Sequence, residues 1–118
     1  MTDGTVNRIL TLDQLRTAHC TRVDGAPLGA AHVQEQLRAL PQWTTVRDTL
    51  QRSFRFANYY ETLAFVNAIA WVVHREDHHP ELRVGYDRVE VSFTTHSVKG
   101  ISINDFICAA KVDMVSGS

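Results

Sequence analysis

The hydrophobic pattern alternates along the chain between a period near 3.6 and a period of 2, and each switch marks an element. Before Leu28 the pattern is weak: Leu12 to Cys20 suits a short helix, which Asp24-Gly25-Ala26-Pro27 ends. From Leu28 onward, Val33, Leu37 and Leu40 share a helical face, and Pro41 stops the run. Trp43 to Arg47 and Leu50 to Phe56 read as two strands around Asp48-Thr49, with Leu50, Phe54 and Phe56 of one parity. Asn58, followed by Glu61 as its reciprocal acid, opens a helix that should run to about Asp77. Leu82, Val84 and Tyr86, then Val89, Val91 and Phe93, alternate and predict a second hairpin. Ser102 and Asp105 form a capping box, with Ile101 and Phe106 at the two staple positions, for a last helix to about Val112.

The order is α-β-β-α-β-β-α. Strands that arrive as hairpins pair antiparallel, so the expected fold is a two-layer α+β domain: a four-stranded antiparallel sheet with helices packed on one face. A partly irregular N-terminal segment, residues 1–27, precedes the domain proper, residues 28–118. The stretch AFVNAIAWVV is apolar nearly all round its helix. Covering one sheet face needs only one stripe, and the economical cover for the rest is a second copy of the chain. The open sheet edge offers another interface, so a homodimer or homotetramer is expected.

Composition changes this picture little. At 118 residues, with 44% apolar and 21% charged residues, the chain suits one domain with one core. A net charge of −1 with interspersed signs gives no field for nucleic acid or anionic lipid. Without a membrane-length apolar stretch or a signal-like start, a cytoplasmic protein is expected. Cys20 and Cys108, one near each end, are no disulfide framework and read as reduced thiols.

The chemistry concentrates in HREDHHPEL, residues 74–82. His74 and His78 share a helical face, as zinc pairs do, and His96 offers a third ligand. Against a metal, Arg75 stands where the HExxH motif has its acid. His79, before Pro80, must also be extended and points away from its neighbour, so no metal is expected. Histidines at a helix C-terminus also bond the last carbonyls, worth roughly 0.3–1 kcal/mol each. That role suits His74 better than two adjacent imidazoles closed by a proline. The third reading is proton transfer, because imidazole donates and accepts near neutrality. His96 follows the polar parity of Glu90, Ser92 and Thr94 and would sit at a strand end beside the helix end. Spacing leaves capping and proton transfer open and names no substrate.

These residues together resemble a family signature. His74, His78-His79-Pro80, Tyr86, His96 and Asp105, with their spacing, are similar to the pterin-4a-carbinolamine dehydratases, as are EDHHPEL, YDRVEVSFTTHSVKGIS and NDFICAA. Trp43, SFRF and NYYETLAFVNAIAW extend the likeness over roughly Leu28 to Asp113. The resemblance implies the same antiparallel sheet under helices. It also implies loss of water from a 4a-hydroxytetrahydropterin, giving quinonoid dihydropterin for reuse by aromatic amino acid hydroxylases. The pterin is then the substrate and no cofactor is needed. By the same likeness His78 and His96 are the acid–base pair and His79 orients the pterin. Asp77, Thr94, Thr95 and Ser97 line the substrate, and Trp43 either joins them near the site or belongs to the core. Asp105 either orients a site histidine or only completes the capping box.

Two departures stand out. His74 occupies a position where many relatives carry glutamate, which implies a shifted pH optimum. AHC, Ala18 to Cys20, resembles a bacterial N-terminal segment in which a second cysteine follows; Val23 stands in that region. The rival reading is a protein-interaction or assembly module, since some members serve as a dimerisation cofactor for a transcription factor and some family-like proteins have become assembly factors.

Overall fold

The computed structural model describes residues 8–117. Its elements are α1 (Leu12–Thr17), α2 (Ala30–Leu37), β1 (Thr44–Val46), β2 (Thr49–Arg55), α3 (Tyr59–Glu76), β3 (Glu81–Val84), β4 (Arg88–Phe93) and α4 (Ile103–Ser116), with a 3-10 turn at His96–Val98. The four strands lie in the order β1-β2-β4-β3, every neighbouring pair antiparallel. The expected two-layer α+β architecture is the observed one.

Register decides which face is buried. Leu50 pairs with Phe93 and Phe54 with Val89, and these four are at most 5% exposed. The opposite face carries Gln51, Ser92, Glu90 and Arg83, polar positions of the same strands. Phe65 and Ile69 of α3, and Phe106, Ile107 and Ala110 of α4, close over the apolar face to make one core. Burying a side chain of this size contributes roughly 1.5–3 kcal/mol.

The helix ends follow their local chemistry. Asn58 Oδ1 accepts the Glu61 amide at 2.9 Å, while Glu61 itself reaches back to the Ala57 amide at 3.5 Å rather than to the cap residue. Asp77 closes α3 in the left-handed conformation, φ 52° and ψ 43°. The Ser102–Asp105 capping box forms, and both staple residues, Ile101 and Phe106, are buried. α4 runs past the expected Val112 to Ser116, because left-handed Gly117 is its stop.

Three expectations shift. The N-terminal helix ends at Thr17, so residues after it run as an extended strap. Trp43 lies outside β1. Tyr86 leaves the strand for the β3–β4 turn, where it stacks on Tyr59 with ring centroids 6.1 Å apart. The strap docks at Gly100: a Cβ there would lie 2.7 Å from the Pro27 Cβ, while the Leu28 amide donates to the Ile101 carbonyl at 2.9 Å. No helix among the described residues is long and apolar enough to cross a membrane.

Candidate functional site

The left-handed turn at Asp77 aims the next residues apart. His78 folds inward, its side chain 14% exposed, and stacks on Phe93 with centroids 5.9 Å apart and planes 11° from parallel. His79, ahead of Pro80, points outward. Across from them β4 ends, Thr95 bridges to Gly100, and the 3-10 turn presents His96 and Ser97 at the surface.

These pieces surround one cavity of about 360 Å³. His78, His79 and His96 all line it, with Asp77, Thr94, Thr95 and Ser97. A helix end and a strand end therefore bring three imidazoles to one wet space of small-molecule size. A second cavity, about 460 Å³ and lined mainly by apolar groups such as Leu10, Leu28, Val98 and Ile107, lies beyond Val23. Another of about 460 Å³ lies on the polar sheet face at Gln51, Arg83, Glu90 and Ser92, so volume alone singles out no site. Acid–base chemistry favours the first.

The polar heart of the site is Asp105, which is 0% exposed. Its Oδ1 lies 2.6 Å from His78 Nε2. Its Oδ2 accepts from the Ser102 amide and from the Thr95 hydroxyl, both at 2.8 Å. Thr95 in turn accepts from the Ser102 hydroxyl at 2.7 Å. A carboxylate only accepts, so Nε2 of His78 carries a proton and Nδ1 is the nitrogen left for a ligand. The two readings of Asp105 thus meet in one residue: one oxygen caps α4 and the other orients an imidazole.

Two residues singled out in the sequence are placed elsewhere. Trp43 is 3% exposed in the core, between Phe54 and Phe93, and its indole N–H donates to the Asp113 carboxylate at 2.9 Å and 3.0 Å. It does not line the cavity, so of its two readings, near the site or in the core, the core is the one observed. The reason is local: an indole buried under the sheet needs an acceptor, and Asp113, held by Arg52 at 2.6 Å, supplies it. His74 is exposed and outside the cavity; its carbonyl accepts the Asp77 amide at the helix end.

The pattern of the sequence missed an entire wall. Cys20, Thr21, Arg22 and Val23 of the strap line the cavity, with Glu76 and Asn104 behind them. Glu76 accepts the Cys20 amide at 2.7 Å and contacts His19 Nδ1 at 3.0 Å. Asn104 takes the Thr21 amide at 3.2 Å and gives its own N–H to the Thr21 carbonyl at 2.7 Å. Ser97 donates to the Val23 carbonyl at 2.7 Å. Burial pushes the Glu76 carboxyl up, but the Cys20 N–H, His19 and the Lys111 charge together outweigh it and hold the group below its ordinary value. Side chains clamping an irregular backbone leave no periodic trace, so only the polar identities of Glu76 and Asn104 could have hinted at the wall. Among the described residues, no group of three or more His, Cys, Asp or Glu is placed to hold a metal ion.

The family model for pterin 4 alpha carbinolamine dehydratase matches residues 26–115. A putative pterin-4-alpha-carbinolamine dehydratase of Nitrosospira multiformis is 49% identical over 105 residues, 87% of this chain and 93% of that protein. One from Xanthomonas campestris is 55% identical over 102 residues, 83% of this chain and 86% of its own. Among solved structures, a transcriptional coactivator/pterin dehydratase from Brucella melitensis superposes with a TM-score of 0.74 at 33% identity, over 77% of this chain and 99% of that one. A pterin dehydratase-like protein described as a RuBisCO assembly factor in the alpha-carboxysome gives 0.55 at 25% identity, over 64% of this chain and 88% of that one.

Proposed function

As the chain belongs to the pterin 4 alpha carbinolamine dehydratase family, we propose that it removes water from a 4a-hydroxytetrahydropterin, with histidines as general acid and base. The observation that carries this reading is the His78–Asp105 pair opening onto a cavity that His79 and His96 also line.

Hydroxide is a poor leaving group, so a proton must reach the 4a oxygen as its bond to carbon breaks. A pterin ring nitrogen supplies the electron pair and gives up its own proton. The sum is one water lost and the quinonoid dihydropterin formed, with no change of oxidation state. His78 takes the ring proton at Nδ1, because Asp105 fixes its tautomer and steadies the imidazolium that results. His96, exposed at the rim, protonates the departing oxygen and exchanges its proton with water. His79 orients the pterin. The polar groups of Asp77 to His79 and of Thr94 to Ser97 read its amide and amino edge. A general acid or base of this kind contributes about 10²–10⁴ in rate. The pterin is the substrate, so the reaction calls for no cofactor. Its product suits recycling for an aromatic amino acid hydroxylase.

The same fold supports self-association. Tyr60 is 81% and Trp71 73% exposed on α3, with Leu63 between them, an apolar surface fit for a second copy in a dimer or tetramer. The assembly-module reading draws on that surface and on the structural neighbour with an assembly role. Supplying enzymically generated 4a-hydroxytetrahydropterin and following its disappearance separates the two. Acceleration over buffer supports the dehydratase; an inert chain that forms a stable complex with another protein supports the module.

A further inference from the structure

Cys20 and Cys108 are 88 positions apart in sequence, yet their sulfurs lie 3.5 Å from each other. Both are free thiols: Cys20 is half-buried and lines the cavity, and Cys108 is fully buried on α4. The surroundings link the pair to the site. Cys20 Sγ is 3.6 Å from the Asn104 carbonyl and Cys108 Sγ 3.9 Å from the His78 carbonyl. From 3.5 Å, each sulfur needs to move by about 0.7 Å to reach the bond length of about 2.05 Å.

The geometry points to a redox modification site: a peroxide entering the cavity oxidises Cys20, and Cys108 resolves it to an intramolecular disulfide that ties the cavity's strap wall to α4. The assignment of roles follows from exposure. Cys20 faces the space a small oxidant can enter, whereas Cys108 is fully buried and outside the cavity lining. The Cys20 sulfur attacks one peroxide oxygen, the O–O bond breaks, and the product is a sulfenic acid and water. The Cys108 sulfur then attacks the Cys20 sulfur, the S–O bond breaks, and the departing oxygen takes the Cys108 proton and leaves as a second water. Two thiols lose two electrons and one peroxide becomes two waters. The hydrogen bond with Cys20, and burial, push the Cys108 thiol well up from its ordinary value, so it waits protonated and spends its proton on the leaving oxygen.

The test uses the full chain without any pterin, so it stands or falls separately from the dehydratase reading. The chain is treated with hydrogen peroxide, its free thiols are counted under denaturation, and its peptides are mapped. Two thiols should fall to none, with Cys20 joined to Cys108 in the same chain and both thiols restored by dithiothreitol. Cys108→Ser should stop at a sulfenic acid on Cys20 that dimedone traps. Cys20→Ser, altering the more exposed partner, should leave Cys108 a free thiol. Disulfides only between chains, direct overoxidation of Cys20 beside an intact Cys108, or oxidation of Cys108 in Cys20→Ser would each overturn the proposal.

Discussion

Replacing Asp105 with asparagine turns one carboxylate oxygen into an NH₂ group where all three neighbours, His78 Nε2, Thr95 Oγ1 and the Ser102 amide, are placed to donate. If the remaining oxygen stays on the cap side, the new amide N–H faces His78 Nε2. The imidazole must then accept there and carry its proton on Nδ1, which changes from acceptor to donor. If the amide flips, the cap loses its acceptor instead. Either way one charge-assisted bond disappears, at a net cost of about 1.5–3 kcal/mol. The cap side offers the oxygen two donors against one from His78, which favours the first orientation; there the base is lost, and the dehydration rate should fall by about 10²–10⁴. Ser102→Ala is the matched control: it removes the cap hydroxyl, worth about 1 kcal/mol, and leaves the His78–Asp105 bond in place. Urea melts give the stability of both variants and carbinolamine consumption gives their rates. Should Asp105→Asn keep the rate of Ser102→Ala, Asp105 serves the helix alone and the account of His78 fails.

Gly100→Ala pushes a methyl against the Pro27 ring and should cost about 1–3 kcal/mol in a denaturant melt, whereas Gly85→Ala, whose nearest neighbour would be 3.7 Å away, should be nearly silent. Trp43→Phe removes the indole donor to Asp113, a carboxyl that burial already pushes up against the lowering pull of Trp43 and Arg52. It should lower stability by about 1–3 kcal/mol while leaving KM for the pterin unchanged, since Trp43 lies outside the cavity. Glu76 has a lowered pKa, so its stabilising contribution is present above the ordinary glutamate value of 4.5 and is lost as pH falls through the folded-state value. Glu76→Gln should therefore flatten the acid side of the stability–pH curve, as read by urea melts between pH 3 and 7 (roughly the carboxylate range and above).

The sequence made the scaffold legible because its cues are local. Alternation in Val89, Val91 and Phe93 and the capping box at Ser102 each specify conformation within a few residues, and both formed as expected. The three histidines were singled out by their clustering before Pro80 and by the polar parity that leads to His96, and one cavity takes all three; the left-handed end at Asp77 that aims two of them leaves no mark in the pattern. What stayed hidden was long-range. The strap wall depends on Glu76 and Asn104 gripping backbone 56 and 83 positions away, and the cysteine pair on a contact 88 positions apart. Tyr86 was misread because alternation continues through a turn whose aromatic stacks on Tyr59 instead of entering the core. Trp43 stayed open between site and core because its partner Asp113 lies 70 positions downstream.

The central claim, that imidazoles of one cavity move the protons for water loss, is met most directly by a double-mutant cycle. Initial rates of 4a-hydroxytetrahydropterin loss are measured for wild type, His78→Ala, His96→Ala and the double variant, with folding verified by circular dichroism. The account expects wild type to exceed buffer and each single variant to lose about 10²–10⁴ in rate. The double variant should then be little worse than the poorer single one, because the two groups act as a unit. Wild-type rates in both single variants would contradict it.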